Sequence, residues 1–170
     1  MTQDLIIKPL ANYTPQIGNL VSMMQLVRTH SLNIIGNLGV NQLDRLYDNK
    51  SNSIGALLMH NAALEAAHQA WLFEDRDLTR QELEYWYGFL PGQLGKLRIT
   101  DHKSGYYIQI LNEVRSKTLD YLMKKTDEWL YFEKIHSGKI KCNNFYLLFH
   151  LIEDEINHRG QILWMLKRFV

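Results

Sequence analysis

At 170 residues, 46% apolar and 22% charged, the chain has the composition of one soluble globular domain with a full core. Nineteen Lys and Arg against 18 Asp and Glu leave a formal charge of +1, which excludes a basic coat for nucleic acid or a polybasic membrane anchor. One cysteine, Cys142, excludes an internal disulfide and suits a reducing compartment. The start, MTQDLIIKPLANYTP, lacks the basic end and long apolar run of a signal peptide, and no stretch approaches a membrane span. A cytoplasmic protein is expected, with a single domain over residues 1–170.

Residues 1–13 read as a short arm, extended around Ile6, Ile7 and Pro9. Thr14-Pro15 predicts an N-cap with proline at the first helical position. From there to about Leu38 apolar residues recur at helical spacing (Ile17, Leu20, Val21, Met24, Val27, Leu32, Ile35), and this first long helix carries no Asp or Glu. Asn41–Asn52 is a polar connection. Ser53 caps a second long helix to about Arg76, with Ala56, Leu57, His60, Leu64, Ala67 and Trp71 on one face. Thr79–Phe89 predicts a short extra helix whose Tyr85, Trp86, Tyr87 and Phe89 form a lid-like aromatic cluster; Pro91, Gly92 and Gly95 break it.

The third long helix is expected from Ser104 to Lys125, with Tyr107, Ile110, Leu111, Val114, Leu119, Leu122 and Met123 inward. Asp127–Asn143 is a long loop with extended pieces around Trp129–Phe132 and Ile140. The fourth helix, Asn144–Lys167, buries a wide arc of Leu147, Leu148, Leu151, Ile162, Met165 and Leu166, extended by Ile156. The pattern predicts an all-α protein, a four-helix bundle with long inter-helix connections.

Four charged or titratable residues crowd the apolar face of the last helix. Asp154 and His158 stack one turn apart, and Glu155 and Arg159 form a predicted structural pair across the next turn. Joined to His60 of the second helix, Asp154 and His158 have the chemistry to hold a divalent ion with open positions for water or substrate. On spacing alone, a helical ion pair and a core histidine account for the same residues. A di-iron carboxylate centre is the other metal reading, since Glu65-x-x-His68 and Glu155-x-x-His158 repeat a Glu-x-x-His pattern. It needs a glutamate from each remaining helix; Glu113 is available, but the first helix offers none. Cys142, in a loop beside Lys141 with no assignable histidine, is a weak nucleophile candidate.

SIGALLMH, ending at His60, followed by HLIEDEINHRGQI, from His150 to Ile162, resembles the DinB/YfiT-like superfamily of metalloenzymes over nearly the whole chain. The resemblance implies a metal site of one histidine on the second long helix and two histidines four apart on the last. His60 and His158 match; Asp154 stands where the middle histidine is usual, and His150 lies one turn further back. It further implies Zn²⁺ or Ni²⁺ at His60, Asp154 and His158, a low-molecular-weight thiol cosubstrate, transfer or isomerisation chemistry on a small molecule, and a homodimer. The alternative from another class is a non-catalytic dimeric bundle, a binding or interaction protein whose metal site is degenerate.

Overall fold

Helix boundaries follow the capping chemistry. The computed structural model describes residues 5–86, 99–136 and 140–169, with α1 at Pro15–Ile35, α2 at Val40–Asp44, α3 at Ile54–Phe73, α4 at Arg80–Trp86, α5 at Ser104–Leu122 and α6 at Asn144–Leu166. Ser53 accepts a hydrogen bond from the Ala56 N–H to start α3, and Asn143 accepts one from the Tyr146 N–H to start α6, each satisfying a donor the helix itself leaves over. Thr14 is the N-cap residue of α1, but its side chain does not cap. Asp127, more than a hundred residues away, takes that role: its carboxylate accepts from the backbone N–H of Gln16 and Ile17 at 3.1 Å and from the Thr14 hydroxyl. The anion at a helix N-terminus also meets the positive end of the helix dipole. Asp127→Ala should therefore destabilise the fold by about 1–2 kcal/mol, read as a lower denaturation midpoint at unchanged slope; an unmoved midpoint would show that solvent caps α1 equally well.

Several expectations are corrected. The connection after α1 is not wholly irregular, because Leu43 is completely buried and anchors the short α2. The segment around Trp129 is a 3-10 turn, Asp127–Tyr131, and the extended pieces are an antiparallel hairpin of β1 (Glu133–His136) and β2 (Ile140–Asn143), with Glu133 opposite Asn143. Met123 is 45% exposed and caps the end of α5. Ile156, expected to widen the buried arc of α6, is 42% exposed. In the predicted lid, Tyr85 is exposed and meets buried Trp86 edge-on; Tyr87 and Phe89 lie outside the described residues.

The four long helices pack in a ring, α1 against α6, α6 against α3, α3 against α5, and α5 against α1. Two apolar clusters fill its interior. One holds Ile17 to Val27 of α1, Leu72 of α3, Leu122 of α5, Leu130, and Leu147 to Ile152 of α6. The other holds Ile35 of α1, Ile54 to Ala63 of α3, Tyr107 to Val114 of α5, and Ile162 and Met165 of α6. The membership fixes direction: α1 and α6 run one way, α3 and α5 the other. The α3–α5 neighbours are thus parallel, which is why the chain needs a long connection between them. The fit is close where Gly55 of α3 meets the Tyr107 ring, since a Cβ at Gly55 would overlap that ring.

Each helix passes from one cluster to the other at a charged residue: Arg28, Glu65, Arg115 and Glu155. All four are buried, none more than 6% exposed. They close a square. Arg28 Nε donates to Glu155 Oε1 at 2.8 Å and its Nη2 to Glu65 Oε2 at 3.1 Å. Arg115 Nε donates to Glu65 Oε1 at 2.7 Å and its Nη2 to Glu155 Oε2 at 3.1 Å. Remaining donors go to the Leu111 and Met24 carbonyls, and Thr118 donates to Glu65 Oε1 at 2.7 Å. Two positive and two negative charges cancel within hydrogen-bonding distance, the condition under which ions are tolerated in a core.

Candidate metal site on the α3–α6 seam

The square settles two sequence readings. Glu155 does not pair with Arg159: it points inward to Arg28 and Arg115, while Arg159 is half-buried with its Nη1 lacking a hydrogen-bond partner. The di-iron arrangement is likewise corrected, because Glu65 and Glu155 are each held by two guanidinium groups. Glu113, the carboxylate it would take from α5, is exposed and accepts from Gln109 at 2.8 Å. His68 places its Nδ1 2.8 Å from the Leu64 carbonyl, which can only accept, so that nitrogen carries the proton.

Asp154, one residue before Glu155, is turned by about 100° out of the square and onto the seam with α3. His158 follows one turn later on the same line, and antiparallel α3 brings His60 opposite. Asp154 Oδ2 lies 3.5 Å from His60 Nε2 and 3.4 Å from His158 Nε2. The two rings meet edge to face at 4.9 Å between centroids. One ligand atom from each residue falls within 4.8 Å of the others. The edge of a tetrahedron with bonds of 2.0–2.1 Å is roughly 3.4 Å, so the two nitrogen–oxygen separations match a pair of ligand–ligand edges.

Tautomers sharpen this fit. His158 Nδ1 faces the Gln161 side-chain oxygen at 3.4 Å; in the tautomer with the proton on Nδ1, Nε2 presents a lone pair to the seam. That lone pair faces a carboxylate oxygen, and neither His158 Nε2 nor Asp154 Oδ2 has a hydrogen-bond partner despite burial. Two buried acceptors aimed at each other repel unless a cation lies between them. Burial pushes the Asp154 carboxyl up, but the polar pull of His158 and then His60 outweighs it and holds the group well below the usual carboxylate range. The side chains of His60, Asp154 and His158 are 17%, 19% and 14% exposed, so the cluster is reachable from outside. Beside it, Gln161 also lines a cavity of about 570 Å³ with Leu57, Asn157, Gly160, Trp164 and Met165.

Other sequence candidates fall elsewhere. His150 places its Nδ1 3.3 Å from Glu153 and stacks on Tyr146, outside the three-residue cluster. Cys142 is half-buried on β2 and burial pushes its thiol up, which leaves it protonated at neutral pH. Gln161 was legible as part of a motif, but its orienting role needs the distance to His158.

The architecture and the seam define a helical protein with a two-histidine, one-carboxylate cluster. The chain belongs to the DinB family, whose model matches residues 15–169. Among solved structures it is similar to a conserved protein from Enterococcus faecalis, with a TM-score of 0.62 at 15% identity, covering 86% of this chain and 92% of that one; this likeness speaks for the fold alone. No curated protein matches the chain.

Proposed function

We propose that the protein is a metal-dependent enzyme, a single four-helix-bundle domain in which His60, Asp154 and His158 hold one divalent ion, Zn²⁺ or Ni²⁺. The observation that carries this reading is the convergence of His60 Nε2, Asp154 Oδ2 and His158 Nε2 at ligand–ligand spacing, with Asp154 Oδ2 and His158 Nε2 buried 3.4 Å apart and neither hydrogen-bonded. When bound, such an ion lowers the pKa of a coordinated thiol or water and supplies a nucleophile near neutral pH. The chain's own residues divide the remaining work. Gln161 keeps the His158 proton on Nδ1 and the ring oriented. Asp154 brings one negative charge to the cluster. The neighbouring cavity offers Asn157 and Gln161 as hydrogen-bonding groups and Trp164 as an apolar wall, which suits a small molecule. The proposed reaction class is transfer of a low-molecular-weight thiol, as the family resemblance implies.

No helix among the described residues is long and apolar enough to cross a membrane, and a cytoplasmic location is part of the proposal. A second reading, a non-catalytic dimeric interaction protein, draws support from the large apolar side chains left exposed on α6, Tyr146, Phe149, Ile156, Leu163 and Trp164. Elemental analysis of tag-free protein separates the two. The enzyme reading expects about one zinc or nickel per chain, retained on dialysis. Protein that neither carries an ion nor takes one up at micromolar concentration leaves the interaction protein as the better reading.

A further inference from the structure

A second cavity, of about 450 Å³, opens on the α3–α5 seam and shares no residue with the one beside the metal cluster. Its volume is in the range of small-molecule sites. The floor is apolar, formed by Ala66 and Ala70 of α3, Val114 of α5 and Trp86 of α4. One buried polar group reaches that floor. Gln69 is only 7% exposed, and its amide nitrogen donates to the Val114 carbonyl at 2.7 Å and to Thr118 Oγ1 at 2.9 Å. Thr118 gives its own hydrogen to Glu65 at 2.7 Å, so it accepts from Gln69 and both amide hydrogens are committed. The oxygen is what Gln69 has left for the cavity it lines, an acceptor fixed through Thr118 by the charged square. The walls carry opposite charge. On one side Arg76 pairs with both Glu74 and Glu82, and two carboxylates with one guanidinium leave a net negative charge. On the other side α5 brings Lys117, Asp120 and Lys124, and two ammonium groups with one carboxylate leave a net positive charge.

We propose that this cavity is a binding site for a small zwitterion with an apolar side chain, a free amino acid of the phenylalanine or leucine kind. The ammonium group sits toward Glu74 and Glu82, where Gln69 Oε1 adds an acceptor for it, and the carboxylate sits toward Lys117 and Lys124. The side chain lies against Ala66, Ala70, Val114 and Trp86. A singly charged molecule matches one wall and leaves the other unanswered, so the site selects by charge pattern. The lysines and Glu74 are exposed, and water and salt screen their pull. The apolar floor therefore supplies most of the affinity and the charged walls supply the choice. The site rests on the α3–α5 seam alone and is independent of whether an ion binds at His60, Asp154 and His158.

Titration calorimetry of the full chain with L-phenylalanine tests it. About one molecule per chain is expected to bind, with a dissociation constant of about 1 mM or below. N-acetyl-L-phenylalanine, which has no ammonium group, and phenethylamine, which has no carboxylate, should each bind about tenfold more weakly or worse. Lys117→Glu combined with Lys124→Glu, at two exposed positions, should weaken L-phenylalanine about tenfold and turn the preference toward phenethylamine. Ala66→Phe, which fills the cavity from a half-buried position, should abolish binding at unchanged helicity, and it decides if the lysine variant loses helicity. An amino acid also chelates metal ions, so the titration is repeated on His158→Ala, where the affinity should be unchanged. A parent that takes up no L-phenylalanine at about 10 mM overturns the proposal. So does binding that disappears with His158→Ala, or binding indifferent to both the lysine exchange and Ala66→Phe. Equal affinity for the three compounds overturns the zwitterion and leaves an unselective apolar cavity.

Discussion

Glu65→Leu is expected to destabilise the protein by about 3–5 kcal/mol. The reason is an uncompensated charge. With Glu65 gone, Arg28 and Arg115 share only Glu155, and a net positive charge remains in an interior where neither guanidinium reaches water. Thr118 loses its acceptor as well. Replacing the whole square by apolar residues (Arg28→Met, Glu65→Leu, Arg115→Met and Glu155→Leu together) should cost far less, because no charge is then left buried. Arg159→Leu should change stability little, since Arg159 takes no part in the square. Urea midpoints of the three proteins check this; a single variant as stable as the parent would mean water reaches the square.

The same square predicts acid sensitivity. Burial alone would push the Glu65 carboxyl up, but Arg115, Arg28 and the hydrogen bonds from Arg115 and Thr118 outweigh it and hold it at about 2, against about 4.3 in an unfolded chain. A group with a depressed folded pKa binds its proton more readily when unfolded. Its stabilisation is therefore whole above about pH 4.3 and disappears as the pH falls towards 2. In the quadruple apolar variant that part of the acid limb should be absent.

How far the sequence discloses this molecule depends on the kind of information each feature carries. The long helices were legible because periodicity and caps are local: Ser53 and the Thr14-Pro15 step mark starts that the structure keeps to within a residue. His60 could be joined to Asp154 and His158 by ligand chemistry, but only on an assumed packing that the family's motif order supports, since two of them lie on one helix and the third is brought in by packing. The square is hidden from the sequence for a physical reason. Glu155 has an i+4 arginine in Arg159, and a local partner is the natural assignment when the distant ones, Arg28 and Arg115, sit at separations of 127 and 40 residues. The sequence shows that α1 carries no carboxylate; that α1 instead contributes a cation to a shared buried layer is visible only in the packing. Ile156 erred in the same direction, because hydrophobicity alone does not say whether a side chain faces its own core or another surface.

Asp154→Ala is expected to abolish metal uptake almost entirely, and Asp154→His to restore it. A carboxylate beside a metal-bound histidine has two jobs open to it. As an outer partner it would accept from the ring nitrogen turned away from the metal, and its removal would cost roughly 10–100-fold in affinity. The geometry assigns that position to someone else: the far nitrogen of His158, Nδ1, faces Gln161, while Asp154 Oδ2 stands near-equidistant from the Nε2 atoms of both histidines. Under the proposed reading, an oxygen in that place serves as a ligand rather than an outer partner. Gln161→Ala should therefore show the 10–100-fold loss, and His60→Ala, His158→Ala and Asp154→Ala each a larger one, with helicity retained because all three side chains lie on the seam, outside both apolar clusters. Competition titration against a chromogenic chelator ranks the four. If Asp154→Ala falls in the same range as Gln161→Ala, the carboxylate orients rather than binds. If it matches the parent, the third ligand is not at this position, and the two acceptors at 3.4 Å share a proton instead of an ion.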